Sequence, residues 1–214
     1  MHLTSKSIKQ LDKLKRINLI NSITGIKPAN LIGTLSESGV SNLAIFSSVV
    51  HLGSNPALIG FILRPNDDVV RHTWRNIENS GIYTINHVHQ QFTERAHYTS
   101  AKFSEEISEF ERCGLTEEYI ADFTAPFVKE SDIKLGLKLK DKIPIELNRT
   151  MLVIGEIVHL LVPDHALDDG WQCDLAAVDG IGVSGLNGYY SLDKVAHFPY
   201  ARPDELPDFE TIGK

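Results

Sequence analysis

The stretch from Asn148 to Leu161 constrains the fold most. Its apolar residues, among them Met151, Leu152, Val153, Ile154, Ile157 and Val158, fall at both odd and even positions. Successive side chains of a strand point to opposite faces, so a strand here needs apolar cover on both sides, as in a strand buried within a closed barrel. A membrane helix does not fit. The longest apolar run, Met151 to Val162, is interrupted by Gly155, Glu156 and His159, and it falls well short of the roughly 20 residues that cross a bilayer.

The rest of the chain reads as further short strands with a few helices between them. Residues 4–20 place Ile8, Leu11, Leu14 and Ile17 on one stripe among lysines, which predicts a single amphipathic helix. Between Leu31 and Phe61 short apolar runs are punctuated by Gly33, Gly39, Gly53 and Pro56, which predicts three strands. Asp67 and Asp68 ahead of Val69, Val70, Trp74 and Ile77, with Gly81 behind, predict a helix with an acidic N-cap and a glycine C-cap. Ile82 to Val88 reads as the next strand, and residues 93–123 as two short helices broken at Gly114. Phe127 to Ile143 reads as a strand or hairpin, and the proline-containing tail after Tyr190 as irregular.

About seven or eight strands joined by short turns, with no βαβ alternation and no internal repeat, predict an α+β chain. Its centre is a small antiparallel β-barrel with a few peripheral helices. The expected organisation is an N-terminal helical extension over 1–27, one barrel domain over 28–200 and an irregular tail over 201–214. With 214 residues, 42% of them apolar, one sizeable core is expected. The 21 Lys and Arg against 28 Asp and Glu give a net charge of −7, which argues against nucleic-acid partners. The charged N-terminus lacks a signal-peptide core, which places the chain in the cytoplasm and makes Cys113 and Cys173 free thiols. Without a CxxC pattern these two thiols do not build a zinc site.

Two tempting motifs lose to plainer readings. Gly180, Gly182 and Gly185 spell G-x-G-x-x-G, but the sequence after them runs into Tyr189 and Tyr190 and then prolines. A dinucleotide fingerprint needs a helix opening at the third glycine, so a turn ahead of a Tyr-rich strand is the better reading. His87, His89 and His97 invite a metal site, yet no carboxylate or thiolate completes a ligand set nearby, and structural histidines are preferred. No G-x-S-x-G elbow is present.

What remains is a series of hydroxyl and amide residues at predicted strand ends: Asn42, Ser47, Ser48, Thr73, Thr84 and Asn86, then Thr99 and Ser100. Around a barrel rim, with Arg64, Arg71 and Lys102, they suit a phosphate and a planar polar heterocycle. A flavin mononucleotide has that chemistry.

The residues from Ser41 to Ser48, then Ser54-Asn55-Pro56 and a strand ending in Arg64-Pro65, resemble the flavin reductase-like FMN-binding split-barrel family. So do Thr73 to Ile77, Ser80 to Asn86, Thr99 to Phe103 with Phe110 and Gly114-Leu115, and Gly188 to Tyr190. The resemblance implies FMN as cofactor, NADH or NADPH as electron donor and a homodimer with flavin at the interface. It implies a small-molecule redox substrate and no catalytic side chain, the hydride chemistry being the flavin's. It places Asn42, Phe46, Ser47, Ser48 and Val49 along the flavin ring, Arg64, Thr73 and Lys102 near its phosphate, and Asn86 and His87 on an adjoining strand. Tyr190 is implied as a contribution from the partner subunit. The alternative is a flavoprotein electron carrier that makes no direct use of NAD(P)H.

Overall fold

The computed structural model describes residues 1–65, 71–120 and 122–208. Its helices and strands begin with α1 (Ser5–Gln10), α2 (Lys13–Ser22), β1 (Lys27–Pro28), β2 (Asn30–Leu35), β3 (Ser41–Phe46), β4 (Val50–Ser54) and β5 (Ala57–Leu63). There follow α3 (His72–Ser80), β6 (Ile82–His87), α4 (Thr93–Tyr98), α5 (Glu109–Cys113), β7 (Glu117–Ile120) and β8 (Phe123–Val128). The last are β9 (Lys134–Ile145), β10 (Thr150–Leu161), β11 (Ile181–Ser184) and β12 (Gly188–Ser191). From 192 to 208 no regular element occurs, as the prolines there predict.

Seven strands form one antiparallel sheet in the order β3-β2-β6-β9-β10-β5-β4. The sheet curls on itself. Phe46 of β3 and Phe61 of β5 lie near opposite ends of that order, yet their ring centroids are 5.1 Å apart. Phe61 also meets Tyr83 of β6 at 5.7 Å. Ile32, Ile85, Leu137 and Val153 complete the interior, each fully buried apolar side chain contributing about 1.5–3 kcal/mol before entropy is counted. A second cluster lies on the other side of β2 and β3, where Leu31 and Leu43 pack against Phe92, Ala96, Phe110 and Val183. Smaller sheets β1-β11-β12 and β7-β8 flank the barrel.

Strand β10 is as long as expected, twelve residues, but is buried chiefly on one face. Val153 is fully covered while Leu160 stays 60% exposed, because the curled sheet encloses only its inner surface and the helices lie elsewhere. Other expectations are corrected in the same way. Residues 31–61 hold four strands instead of three, since β4 lies at the sheet edge with Val50 and Leu52 exposed and has no inward stripe to read. Residues 117–120 pair as β7 instead of forming helix, and 127–143 divides between β8 and β9.

The single N-terminal helix is two helices, interrupted where the Asp12 carboxylate accepts from the Leu14 and Lys15 amides at 2.9 and 3.3 Å. Helix α3 ends at Gly81, whose φ of 72° is the left-handed C-cap expected of it. The acidic N-cap expected at Asp67 and Asp68 lies outside the described residues; among the described ones the helix follows Arg71, which makes no side-chain cap of its own. Both cysteines are free thiols. No helix among the described residues is long and apolar enough to cross a membrane.

His87 ends β6, its backbone N–H donating to Ile133 O at 2.9 Å. Burial pushes its imidazole down from 6.5 to about 4, because desolvation penalises the charged form. An unfolded chain protonates His87 below pH 6.5 while the folded one does not, so folding stability is full above that pH and falls as pH drops toward 4. The shift corresponds to at most about 3 kcal/mol. Urea titrations of the parent and of His87→Gln across pH 4–7 are expected to diverge by that order, with the variant showing the flatter profile; parallel profiles would refute the assignment.

Candidate functional site

The curled sheet does not close by backbone pairing. Strand β3 is an edge, and the turn that leaves it, Ser47 and Ser48, crosses to β5. There the Ser48 hydroxyl donates to Ile62 O and accepts from Ile62 N, both at 3.1 Å. One side chain thus stands in for a missing rung of the ladder. On the outer edge of β3 the Leu43 amide donates to the buried Glu109 carboxylate at 2.9 Å. Burial raises the carboxyl's pKa even so.

At this seam lies a cavity of about 870 Å³, within the usual range of small-molecule sites. Ala44, Phe46, Ile62 and Leu63 give it an apolar surface, and Asn42, Ser47 and Thr73 stand beside them. The Asn42 amide donates to Thr34 Oγ1 at 3.3 Å and to Thr73 Oγ1 at 3.1 Å, which ties β3 to the start of α3. That helix start also faces the cavity, through Arg71, His72 and Thr73, and the N-cap residue Arg71 makes no side-chain cap of its own. The first-turn amides and the helix dipole place about half a positive charge there. Arg64 and Lys102 line the same space, and among the described lining residues Glu109 is the only carboxylate. Lys27, Arg64, Arg71 and Lys102 thus face one cavity in a chain of net charge −7. The donor set fits an anionic group such as a phosphate on a flat ring system.

The third part of the wall comes from α2 and the segment after it (Ile20, Asn21, Thr24), from the β11–β12 hairpin (Leu186, Asn187, Tyr189) and from His97. His97 Nδ1 and the Tyr189 hydroxyl are 2.9 Å apart in a hydrogen bond, and burial moves the Tyr189 phenol upward.

Seven residues proposed from sequence line this one cavity: Asn42, Phe46, Ser47, Ser48, Arg64, Thr73 and Lys102. Four do not. Val49 turns toward the barrel core. Asn86 is fully buried, its amide donating to Leu31 O and Thr84 Oγ1 and its carbonyl accepting from Val128 N, so it joins β6 to β2 and β8. His87 sits at the inner end of β6, away from the lining. Tyr190 stays 52% exposed on β12 while its neighbour Tyr189 faces the cavity, a difference of one position in strand parity.

The hydroxyls of Thr99 and Ser100 are engaged with Ala96 O and His97 O, both at 2.7 Å, so this segment brings Lys102 to the site more than its hydroxyls. The histidines considered for metal serve separate purposes, His89 bonding Glu130 O at 2.8 Å and His97 bonding Tyr189. Sequence reasoning missed Lys27, Asn21, Glu109 and Asn187. Only Glu109 carried a signal, as an acidic residue followed by the buried Phe110, and it was indistinguishable from an exposed helix residue.

Residues 26–176 match the model of the flavin reductase-like domain. The chain belongs to that family. A protein from Shewanella frigidimarina NCIMB 400, assigned as a flavin reductase with a split barrel domain, is 49% identical, with a TM-score of 0.90 over 94% of this chain and 100% of that one. The architecture is accordingly the split-barrel flavin reductase fold. Flavoredoxin of Desulfovibrio vulgaris (Miyazaki F) is 25% identical with a TM-score of 0.71, over 82% of this chain and 92% of its own. A protein of Halalkalibacterium halodurans is 33% identical over 149 residues, 67% of this chain and 71% of that relative.

Glu109→Ala is expected to leave the Leu43 amide buried without a partner, at a cost of about 1–3 kcal/mol. Glu109→Gln keeps an acceptor and should recover most of that loss. Denaturant midpoints of the three proteins test this: equal loss in both variants would mean that the hydrogen bond is not what Glu109 supplies.

Proposed function

We propose that this chain binds FMN in the cavity at the β3–β5 seam and works as an FMN-dependent oxidoreductase. In this reading NADH or NADPH supplies the hydride and a flavin or another small molecule receives the electrons. The observation that carries the reading is the meeting of the α3 N-terminus with Arg64 and Lys102 beside an apolar surface, in a chain of the flavin reductase-like family. Bound flavin would supply the hydride-accepting chemistry. The residues hold and orient. Arg64, Lys102 and the amides at Thr73 attract the phosphate, Phe46 and Ala44 offer a flat apolar bed, and the Asn42 side chain fixes the separation of β3 and α3. No side chain is assigned as acid, base or nucleophile.

The carrier reading has one observation in its favour, the likeness to flavoredoxin. Two further proposals accompany the main one. A homodimer is supported by the tail, where Val195, Phe198, Tyr200 and Leu206 are 98%, 80%, 85% and 65% exposed and call for cover. Tyr190, also exposed, would then meet the partner's flavin. A cytoplasmic setting is supported by the free thiols.

Arg64→Ala and Lys102→Ala are each expected to weaken FMN binding ~10- to 150-fold, the effect of losing a charge-assisted contact worth about 1.5–3 kcal/mol. Isothermal titration reads this directly, and unchanged affinity in both variants would remove the phosphate assignment. Stopped-flow mixing of the FMN-loaded chain with NADH or NADPH separates the two readings. Rapid bleaching of the flavin band is expected; no bleaching with either donor would favour the carrier.

A further inference from the structure

The cavity walls differ in charge. Arg64, Lys102 and the start of α3 lie on one side, while the described lining residues from α2, the segment after it and the β11–β12 hairpin include one cation, Lys27. Its Nζ donates to Asn21 O at 2.6 Å and to Gly185 O at 3.3 Å, so one ammonium joins the end of α2 to the hairpin turn. The join is reinforced by backbone pairing of Lys27 with Val183 and of Pro28 with Gly182. A Cβ at Gly182 would overlap Ile26 Cγ2, so that glycine lets the extension lie directly on β11. Neither α1 nor α2 buries a residue of its own. These few tethers therefore do much of the work of holding α2 against the cavity.

With the Lys27 charge engaged by two carbonyls, the wall offers Ile20 and Leu186 as apolar surface, Asn187 as an amide, and the His97–Tyr189 pair. Such a wall suits a flat, uncharged ring bearing a carbonyl or carboxamide and gives nothing to a phosphate. We propose that it is the subsite for the uncharged dihydronicotinamide ring of the electron donor, and that Lys27 is a positioning residue that keeps the two halves of this wall together. The assignment rests on the flavin-reducing reading above, and it adds the N-terminal extension to the determinants of donor affinity.

The test uses the full chain loaded with FMN, as parent, Lys27→Met and Lys27→Arg. Hydrogen exchange is followed in segments 19–26 and 184–189, FMN affinity by flavin fluorescence, and KM and kcat with NADH and NADPH. In Lys27→Met both segments are expected to lose protection together while the barrel strands keep theirs. FMN affinity should stay within about twofold, and donor KM should rise about fivefold or more with kcat nearly unchanged. Lys27→Arg should stay close to the parent. If Lys27→Met does not fold, Asn187→Ala is expected to raise donor KM with FMN affinity kept.

Unchanged protection in both segments would overturn the tether. An unchanged KM with a loosened wall, or a KM that rises only in step with lost FMN affinity, would overturn the subsite. A parent that binds FMN but reacts with neither donor would overturn the reductase reading and the donor subsite with it, and the exchange result would still decide the tether.

Discussion

The seam between β3 and β5 governs the rest of the structure. An antiparallel sheet that curls without closing leaves edge amides and carbonyls inside the protein, and each must find a partner or cost free energy. Here the partners are side chains: the Ser48 hydroxyl on both backbone groups of Ile62, and the Glu109 carboxylate on the Leu43 amide. At the seam itself the Ser48 side chain takes the place of a backbone rung, and the cavity lies beside it. A fully closed barrel of this size would fill the same volume with its own side chains. The site is therefore a consequence of how the fold solves its edge problem.

Electrostatics then decides what the space can hold. Acidic residues outnumber basic ones over the whole chain, 28 to 21, so its net charge of −7 on average repels anions. Cations at one concave place, next to a helix N-terminus and low-dielectric strand surface, act on a ligand more strongly than the same charges spread over the exterior. Glu109 is committed to the fold: one of its oxygens accepts from the Leu43 amide, and desolvation raises its pKa.

How much of this was readable in advance depended on whether a residue's role is local. Strands with a buried face announced themselves, as at Ile82–His87 and Thr150–Leu161, and so did the turn glycine at Gly81. Strand β4 did not, because an edge strand with both faces near solvent carries no alternation. The site divided in the same way. Asn42, Ser47, Arg64, Thr73 and Lys102 stand at strand or helix ends, where polar residues are conspicuous. Asn86 is just as polar and conspicuous, but the register of β6 turns it toward β8, and no feature of its own segment reveals that Val128 will be its partner. Tyr189 and Tyr190 differ only in parity, which is fixed by pairing with Val183 and Gly182. Long-range register is the information a single sequence withholds.

The glycines at 180, 182 and 185 carry that point into function. In a dinucleotide fingerprint the same spacing serves close approach to a pyrophosphate at a helix start. Here no helix follows; β11 runs through Gly182, and Gly185, with φ of 65°, turns the chain into β12. The missing Cβ at Gly182 admits Ile26, and the Gly185 carbonyl receives Lys27. Both glycines thus bring a protein segment, and not a phosphate, close to the backbone. That segment is the N-terminal extension, and it reaches the wall opposite the cations. If Arg64, Lys102 and α3 hold the phosphate as proposed, the part free to vary between a reductase and a carrier is the opposite wall, which in this chain is tethered by Lys27 and lies against Gly182 and Gly185.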